Sequence, residues 1–238
     1  MIGKGKSISH GVAALEYDLA KEIDGQAAAT EIARHELYGC TGAEMVQEMK
    51  PYHIDFPNVK NNCLRFEVSP SIEESATFTD ADWAELGNDF MQRMGLANHQ
   101  YIIIRHSGTE SKKEQAHLHI LANRVSLSGE LYRDNWIGKK ATEAANAIAK
   151  ERNFVQSQDI GKVNKAEIKE AMDGVLKKMQ GFDLTKFKEE LGKRGFKVRE
   201  ARASTGKLNG YYVTARSGTE YKASEIGKGY TLAHIERT

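Results

Sequence analysis

The sequence predicts an α+β fold: a central antiparallel β-sheet flanked by helices, with a small C-terminal α+β appendage. Three observations lead there. Residues 62–69 alternate Leu64, Phe66 and Val68 with Arg65 and Glu67, the pattern of a half-buried strand. Gln100–His106 and residues 116–125 are two more strand-like runs, separated by the polar loop Ser107–Gln115, and strands joined this way are most simply antiparallel neighbours. Around these runs lie stretches with apolar residues at helical spacing, and the last part of the chain carries a helix–helix–strand–strand pattern of its own. The expected division is residues 1–160 and residues 161–238.

In chain order, residues 1–9 are Gly/Lys/Ser-rich and read as a short strand or loop. A helix follows over His10–Ile23, with Ser9 as N-cap and Val12, Leu15, Leu19 and Ile23 facing the core. Tyr17 lies off the centre of that stripe. Residues 26–50 show short helical patterns, including Thr41-Gly42-Ala43-Glu44, which has capping-box spacing. Thr79 and Asp80 open a helix to Met94, burying Trp83, Leu86, Phe90 and Met94, and Gly95 closes it. Gln100–His106 is the most apolar strand, which suits a central position. A hairpin partner is expected over Leu127–Tyr132. Helices are expected at 138–152, over Asn164–Gln180 and from an Asp183 cap, and strands at Phe196–Ala201 and Gly210–Ala215.

The chain has 238 residues, 40% hydrophobic and 28% charged, with 3 prolines, which describes an ordinary globular protein. No apolar run is long enough to span a membrane. The basic N-terminus lacks the apolar segment of a secretory signal. Cys40 and Cys63 are isolated and lack metal spacing, in keeping with a reduced, cytoplasmic setting. The net charge of +1 conceals an asymmetry. Residues 1–129 hold 12 basic and 18 acidic side chains, whereas residues 161–238 hold 17 basic and 10 acidic. Such a tail suits an anionic partner held at one end, or simply a solvated lysine-rich surface. The chain ends at Thr238 without an obvious terminal element, leaving room for a longer natural protein.

The chemistry concentrates in His117-Leu118-His119-Ile120-Leu121-Ala122-Asn123. Side chains alternate along a strand, so His117, His119, Leu121 and Asn123 share one face and the two imidazoles lie about 7 Å apart. That is half of a metal site. His106, at the end of the preceding strand, would come beside His117 or His119 if the loop makes a hairpin. Three imidazoles with open positions form a catalytic rather than a structural arrangement, and suit Mn²⁺, Zn²⁺, Fe or Ni better than the oxygen-seeking Mg²⁺. Glu67 is placed to orient a ligating histidine, or to make an ordinary surface ion pair. Asn123 offers both donor and acceptor for a supporting role.

His106, a loop with Thr109, His117-Leu118-His119 and Asn123, all after an apolar strand, resemble the three-histidine motif of conjugative relaxases, the mobilisation nucleases of the HUH superfamily, and among them the MobA/NikB-like class. That class opens with a Gly/Lys/Ser-rich stretch and a helix bearing a nucleophilic tyrosine, here Gly3–Ser9 and Tyr17. The strand ending Glu67-Val68-Ser69-Pro70 matches the segment between the two motifs. The resemblance covers residues 1–135. It departs at Gly108, where many members carry Asp, and in the long loop Ser111–Gln115. Tyr38 and Tyr52 are rival nucleophiles; Tyr17 leads because its helix follows the N-terminal motif directly.

The resemblance implies a palm-like sheet and a DNA relaxase. Such an enzyme nicks one strand at an origin of transfer, leaves a 5′-phosphotyrosyl intermediate and a free 3′-hydroxyl, and can rejoin the strand to initiate plasmid mobilisation. It implies a bacterial, cytoplasmic enzyme with a divalent cation on His106, His117 and His119, Mn²⁺ or Mg²⁺ ahead of Zn²⁺ or Ni²⁺. The implied partners are single-stranded DNA, accessory mobilisation proteins and a type IV secretion coupling protein, with no membrane. Lys4, Lys6, Arg194, Lys197, Arg199, Arg202 and Lys207 are the cations offered to DNA phosphates, with Tyr211, Tyr212 and Tyr221 as stacking surfaces. Other readings are a rolling-circle replication initiator, in which the histidine motif usually precedes the tyrosine, a metal-dependent hydrolase of small substrates, and a nonenzymatic DNA-binding module.

Overall fold

The computed structural model describes residues 1–23, 25–107 and 115–235. Two compact units divide the chain at Ser157/Gln158. In the first, β1 (Ile2–Ile8) leads to α1 (Gly11–Leu19), a two-residue hairpin β2 (Glu22–Ile23) and β3 (Gln26–Ala27), then β4 (Ala29–His35) and α2 (Gly42–Met49). β5 (Cys63–Ser69), the short α3 (Ile72–Ser75), α4 (Asp80–Arg93), β6 (His99–His106), β7 (His117–Ser126) and α5 (Ile137–Glu151) follow. Five strands form one antiparallel sheet in the order β1-β5-β7-β6-β4. The architecture is the expected α+β class.

Alternation along the strands gives the sheet two faces. On one, Leu64, Phe66 and Val68 of β5, Leu118, Ile120 and Ala122 of β7, and Tyr101 and Ile103 of β6 are buried with Trp83, Leu86, Phe90 and Met91 of α4 and Ala141, Ala145 and Ile148 of α5. The alanines of α5 let it approach β1 closely. A Cβ on Gly3 would stand 2.4 Å from the Ala141 carbonyl oxygen, so only glycine fits there.

On the other face, Ile8, Cys63, Ile102, Ile104 and Leu121 pack with Ala14 and Leu15 of α1 and Met45, Val46 and Met49 of α2. α2 is held by the expected capping box of Thr41 and Glu44. The remainder of this face carries Lys4, Lys6, Arg65, Glu67 and the three histidines.

Several local expectations are corrected. α1 stops at Leu19 rather than Ile23, because the Ala20 N–H turns back to the Glu16 carbonyl and the chain enters the β2–β3 hairpin. Its N-cap is His10, not Ser9, and Val12 is exposed, the buried positions being Gly11, Ala14, Leu15 and Asp18. β4 occupies a region read as helical. It is a polar edge strand whose register shifts between Glu31 and Ala33, which erases the period-two signal. Leu127–Tyr132 is a tight turn around Gly129 with one bridge, Val125 to Leu131, rather than a strand.

The second unit contains α6 (Ser157–Leu176), which starts before the expected Asn164, and α7 (Leu184–Lys193), capped by the Asp183 carboxylate. β8 (Lys197–Arg202), β9 (Leu208–Thr214) and β10 (Glu220–Lys222) form a three-stranded sheet, followed by the single turns α8 (Ala223–Ile226) and α9 (Leu232–Ile235). Its own core holds Ile168, Met172, Val175, Phe187, Leu191, Phe196, Tyr211 and Val213. Among the described residues, no helix is long and apolar enough to cross a membrane.

Candidate active site

The site lies where α1 ends over the sheet. His106 closes β6 and His117 opens β7, and the register sets them directly opposite one another. His119 follows two residues on, on the same face. The ring centroids of His106 and His119 are 4.4 Å apart and those of His117 and His119 4.8 Å apart. One nitrogen from each ring lies within 4.8 Å of the others, the one such His/Cys/Asp/Glu group among the described residues.

Hydrogen bonds fix the rings. His117 Nδ1 donates to the Gln115 carbonyl at 2.9 Å, which leaves its Nε2 as an acceptor 3.0 Å from His119 Nε2. His119 Nδ1 in turn lies 3.4 Å from an Arg65 guanidinium nitrogen. These contacts read consistently as a chain in which Arg65 donates to His119, His119 to His117, and His117 to the backbone. His106 Nε2 donates to the Asp18 carbonyl at 2.7 Å, which leaves its Nδ1 as the lone-pair nitrogen.

Burial pushes the His119 imidazole down to about 2, helped by the neighbouring His106, His117 and Arg65 charges. His106 is lowered too, by burial, although its bond to the Asp18 carbonyl opposes the shift. Neutral imidazole is the metal-ligating form. Three imidazoles gathered around one point fit a divalent first-row cation, which would replace the hydrogen bond between His119 and His117.

Asp18 was not among the residues singled out from the sequence. Its side chain is 1% exposed and paired through both oxygens with the Arg65 guanidinium. Burial raises its pKa, against the pull of Arg65. One carboxylate oxygen stands 3.8 Å from His119 Nδ1, and because that ring is neutral the contact is not an ion pair. The signal for Asp18 was available. It sits at helical spacing from Ala14 and Leu15, and a carboxylate on the buried stripe of a helix requires a partner.

Tyr17, adjacent to Asp18, is 63% exposed, and its hydroxyl has no hydrogen-bond partner among the described residues. Tyr38 is also exposed, but it donates to the Glu36 carboxylate, which raises its pKa. Tyr52 lies in a one-turn 3-10 helix, Lys50–His53.

Glu67 sits opposite His119 in the β5–β7 register, but its carboxylate accepts from Lys4 at 2.8 Å, and the carboxylate nearest His119 Nδ1 belongs to Asp18. Asn123 is four residues beyond His119, fully buried, and bonded to His53, Gln100 and the Met49 carbonyl. Lys4, Gly5, Lys6, Arg65, Phe66, Glu67 and His119 line a cavity of about 210 Å³. Gly108, Thr109 and most of the loop that follows fall outside the described residues.

In the second unit the cations are largely answered by their own neighbours. Arg199 is bidentate to Glu220 and stacks over Tyr212, Arg202 pairs with Glu200, and Arg194 bonds to the Ala171 and Gly174 carbonyls. Lys197 and Lys207 make no ion pair among the described residues. Tyr211 is buried in the core, so it offers no stacking face. Tyr221 bonds to Asn164.

An antiparallel sheet that gathers three imidazoles at the end of a helix carrying an exposed tyrosine has the layout expected of relaxase nucleases. The family model for the MobA/VirD2-like relaxase nuclease domain matches residues 17–154, more than half of the chain, and the chain belongs to this family. Among solved structures, it is similar to the conjugative relaxase TrwC in complex with oriT DNA in a metal-bound form, at 12% identity over 87% of this chain and 74% of that one, with a TM-score of 0.36. A copper-bound TrwC–oriT complex is similar at 13% identity over 87% and 75%, also with a TM-score of 0.36. No curated protein matches the chain.

Proposed function

We propose that this chain is a DNA relaxase that cleaves and rejoins one strand at an origin of transfer, with Tyr17 as nucleophile and His106, His117 and His119 as the ligands of a divalent cation. The observation that carries the reading is the hydrogen bond from His106 to the Asp18 carbonyl. It ties the histidine cluster to the residue next to the exposed Tyr17.

In this reading the Tyr17 oxygen forms a bond to phosphorus, the bond from phosphorus to the 3′ oxygen breaks, and the proton lost by the phenol is balanced by one gained on the released 3′-hydroxyl. The covalent phosphotyrosine keeps the bond energy available for rejoining. A bound cation would neutralise charge on the non-bridging phosphate oxygens. Mn²⁺ or Mg²⁺ is the expected ion, with Zn²⁺ or Ni²⁺ as alternatives that suit imidazole well. Asp18, fixed by Arg65, orients the tyrosine-bearing helix and faces His119. Lys4 and Lys6 offer positive charge to the flanking phosphates, and Glu67 and Asn123 support the sheet on either side of the histidines. The second unit is proposed as a DNA-binding extension, resting on Lys197 and Lys207 more than on Arg194, Arg199 or Arg202. Accessory mobilisation proteins and a secretion coupling protein complete the proposed partners.

A rolling-circle initiator of the same superfamily is the second reading, disfavoured because Tyr17 precedes the histidines in the chain. The test is incubation with supercoiled plasmid carrying a transfer origin. A cation-dependent nick with protein attached at the 5′ end is expected, lost on chelation and in Tyr17→Phe, which should still bind the DNA. A nick without attached protein would mark a simple hydrolase.

A further inference from the structure

Trp136 has a conformation and an exposure that packing does not explain. It is 81% exposed and adopts φ 59°, ψ 28°, a left-handed backbone that residues with a Cβ take up only when their surroundings impose it. The Ile137 N–H donates to the Asp134 carbonyl, the Lys140 N–H to the Trp136 carbonyl, and Asp134 is held by Arg124 at 2.7 Å. Glycine would suit this backbone better. A tryptophan stands there instead, with its ring in solvent.

Its place in the fold points to a ligand. Two residues on, a Cβ on Gly138 would lie 3.5 Å from the Gly5 carbonyl oxygen. Gly5, Lys4 and Lys6 line the cavity that reaches His119. Arg124 also bonds to the Asn61 carbonyl, and the Asn61 amide reaches Ser7, so the Trp136 loop is tied to the far end of β1 as well. Trp136 therefore stands beside the β1 edge of the sheet on the side covered by α5, across that edge strand from Lys4, Lys6 and His119. Its neighbours in the chain are charged rather than apolar: Arg133, which makes no ion pair among the described residues, Lys139, which makes an exposed pair with Glu143 at 3.7 Å, and Lys140, whose ammonium lies over the Tyr132 ring and donates to the Arg133 carbonyl.

We infer that Trp136 is a stacking platform for an unpaired DNA base, displaced along the strand from the phosphodiester held at the histidines. The inference rests on the relaxase reading and adds a contact to it. An indole stacks on any base, and the surrounding cations take the adjoining phosphates. A protein partner would call for apolar surface around the ring.

The chain carries its own probe, since Trp83, the other tryptophan, is buried at 2% exposure. Tryptophan emission is titrated with single-stranded oligodeoxythymidine while binding is followed by anisotropy of a fluorescein-labelled copy. Emission should be quenched as the oligonucleotide binds, and the quenching should vanish in Trp136→Phe, whose ring still stacks and keeps most of the affinity. Trp136→Gly should bind about 5- to 150-fold more weakly with an unchanged or higher Tm, because glycine relieves the backbone; a structural role would lower Tm. Unquenched emission at saturating oligonucleotide, or wild-type affinity in Trp136→Gly, overturns the inference. The relaxase reading fails differently: a chain that binds and quenches but forms no covalent adduct with plasmid removes the nicking and leaves the platform, whereas a wild-type chain that binds no single-stranded DNA removes both.

Discussion

Along β7, Leu118, Ile120 and Ala122 are fully buried under α4 and α5, while the interleaved His117 and His119 stay partly open beyond the end of α1. The same strands thus build a sealed face and a half-sealed one. On the sealed face the constraint is volume, since α5 approaches β1 so closely that Gly3 has no room for a side chain, and the Phe66 ring leaves none at Gly5. On the other face α1 and α2 cover only one end of the sheet. Where α1 stops, the residues become Lys, Arg, Glu and His. The length of one nine-residue helix therefore decides where apolar core ends and chemistry begins.

That contrast predicts mutations that separate function from stability. Tyr17→Phe should give the largest effect, complete loss of covalent DNA adduct in a gel assay, with a Tm close to wild type because the hydroxyl is solvent-facing. Phe66→Ala, on the sealed face, should do the converse. It should cost about 3–5 kcal/mol in denaturant unfolding, while the fraction that remains folded keeps its adduct yield.

Asp18→Ala joins the two behaviours. It strands the Arg65 guanidinium and removes the carboxylate facing His119, so calorimetry should show divalent-cation affinity falling about 10- to 100-fold alongside a clear loss of Tm. An affinity equal to wild type would make Asp18 purely structural.

A smaller effect follows from pH. Burial keeps His99, His106 and His119 neutral in the folded chain, whereas unfolded histidines titrate near about 6.5. Below that pH the unfolded state binds more protons, so stability is full above it and falls as the pH drops through and below it. Asp18, raised on folding, offsets part of this loss at more acidic pH. Melting curves should therefore show a lower Tm at pH 5.5 than at 7.5, and cation binding should weaken in the same direction because protons compete for the same nitrogens. Smallest of all, Glu67→Gln should change stability by less than about 1 kcal/mol, as its partner Lys4 is largely solvated.

What the sequence disclosed follows the range of the interactions involved. β5, β6 and β7 announce themselves through apolar residues that must meet a core, and His117 and His119 fall on one face by alternation alone, while His106 joins them only through the β6–β7 register. The caps at Thr41, Thr79 and Asp183 are local and were legible too. β4 was not, because an edge strand with a bulge has neither alternation nor a continuous apolar run. Asp18 was missed because its partner, Arg65, lies 47 residues away. Glu67 looked equally suited to a histidine, and only the arrangement of α1 over the sheet shows which carboxylate stands beside His119. The basic tail was read from net charge, which cannot reveal that Arg199 and Arg202 are met by Glu220 and Glu200.

The most direct test of the account is to trap the covalent adduct with single-stranded origin DNA and a divalent cation, digest the protein, and locate the DNA-bearing residue by mass spectrometry. The account predicts a single modified residue, Tyr17. Attachment at Tyr38 or Tyr52, or no attachment under conditions where the strand is cut, would contradict it.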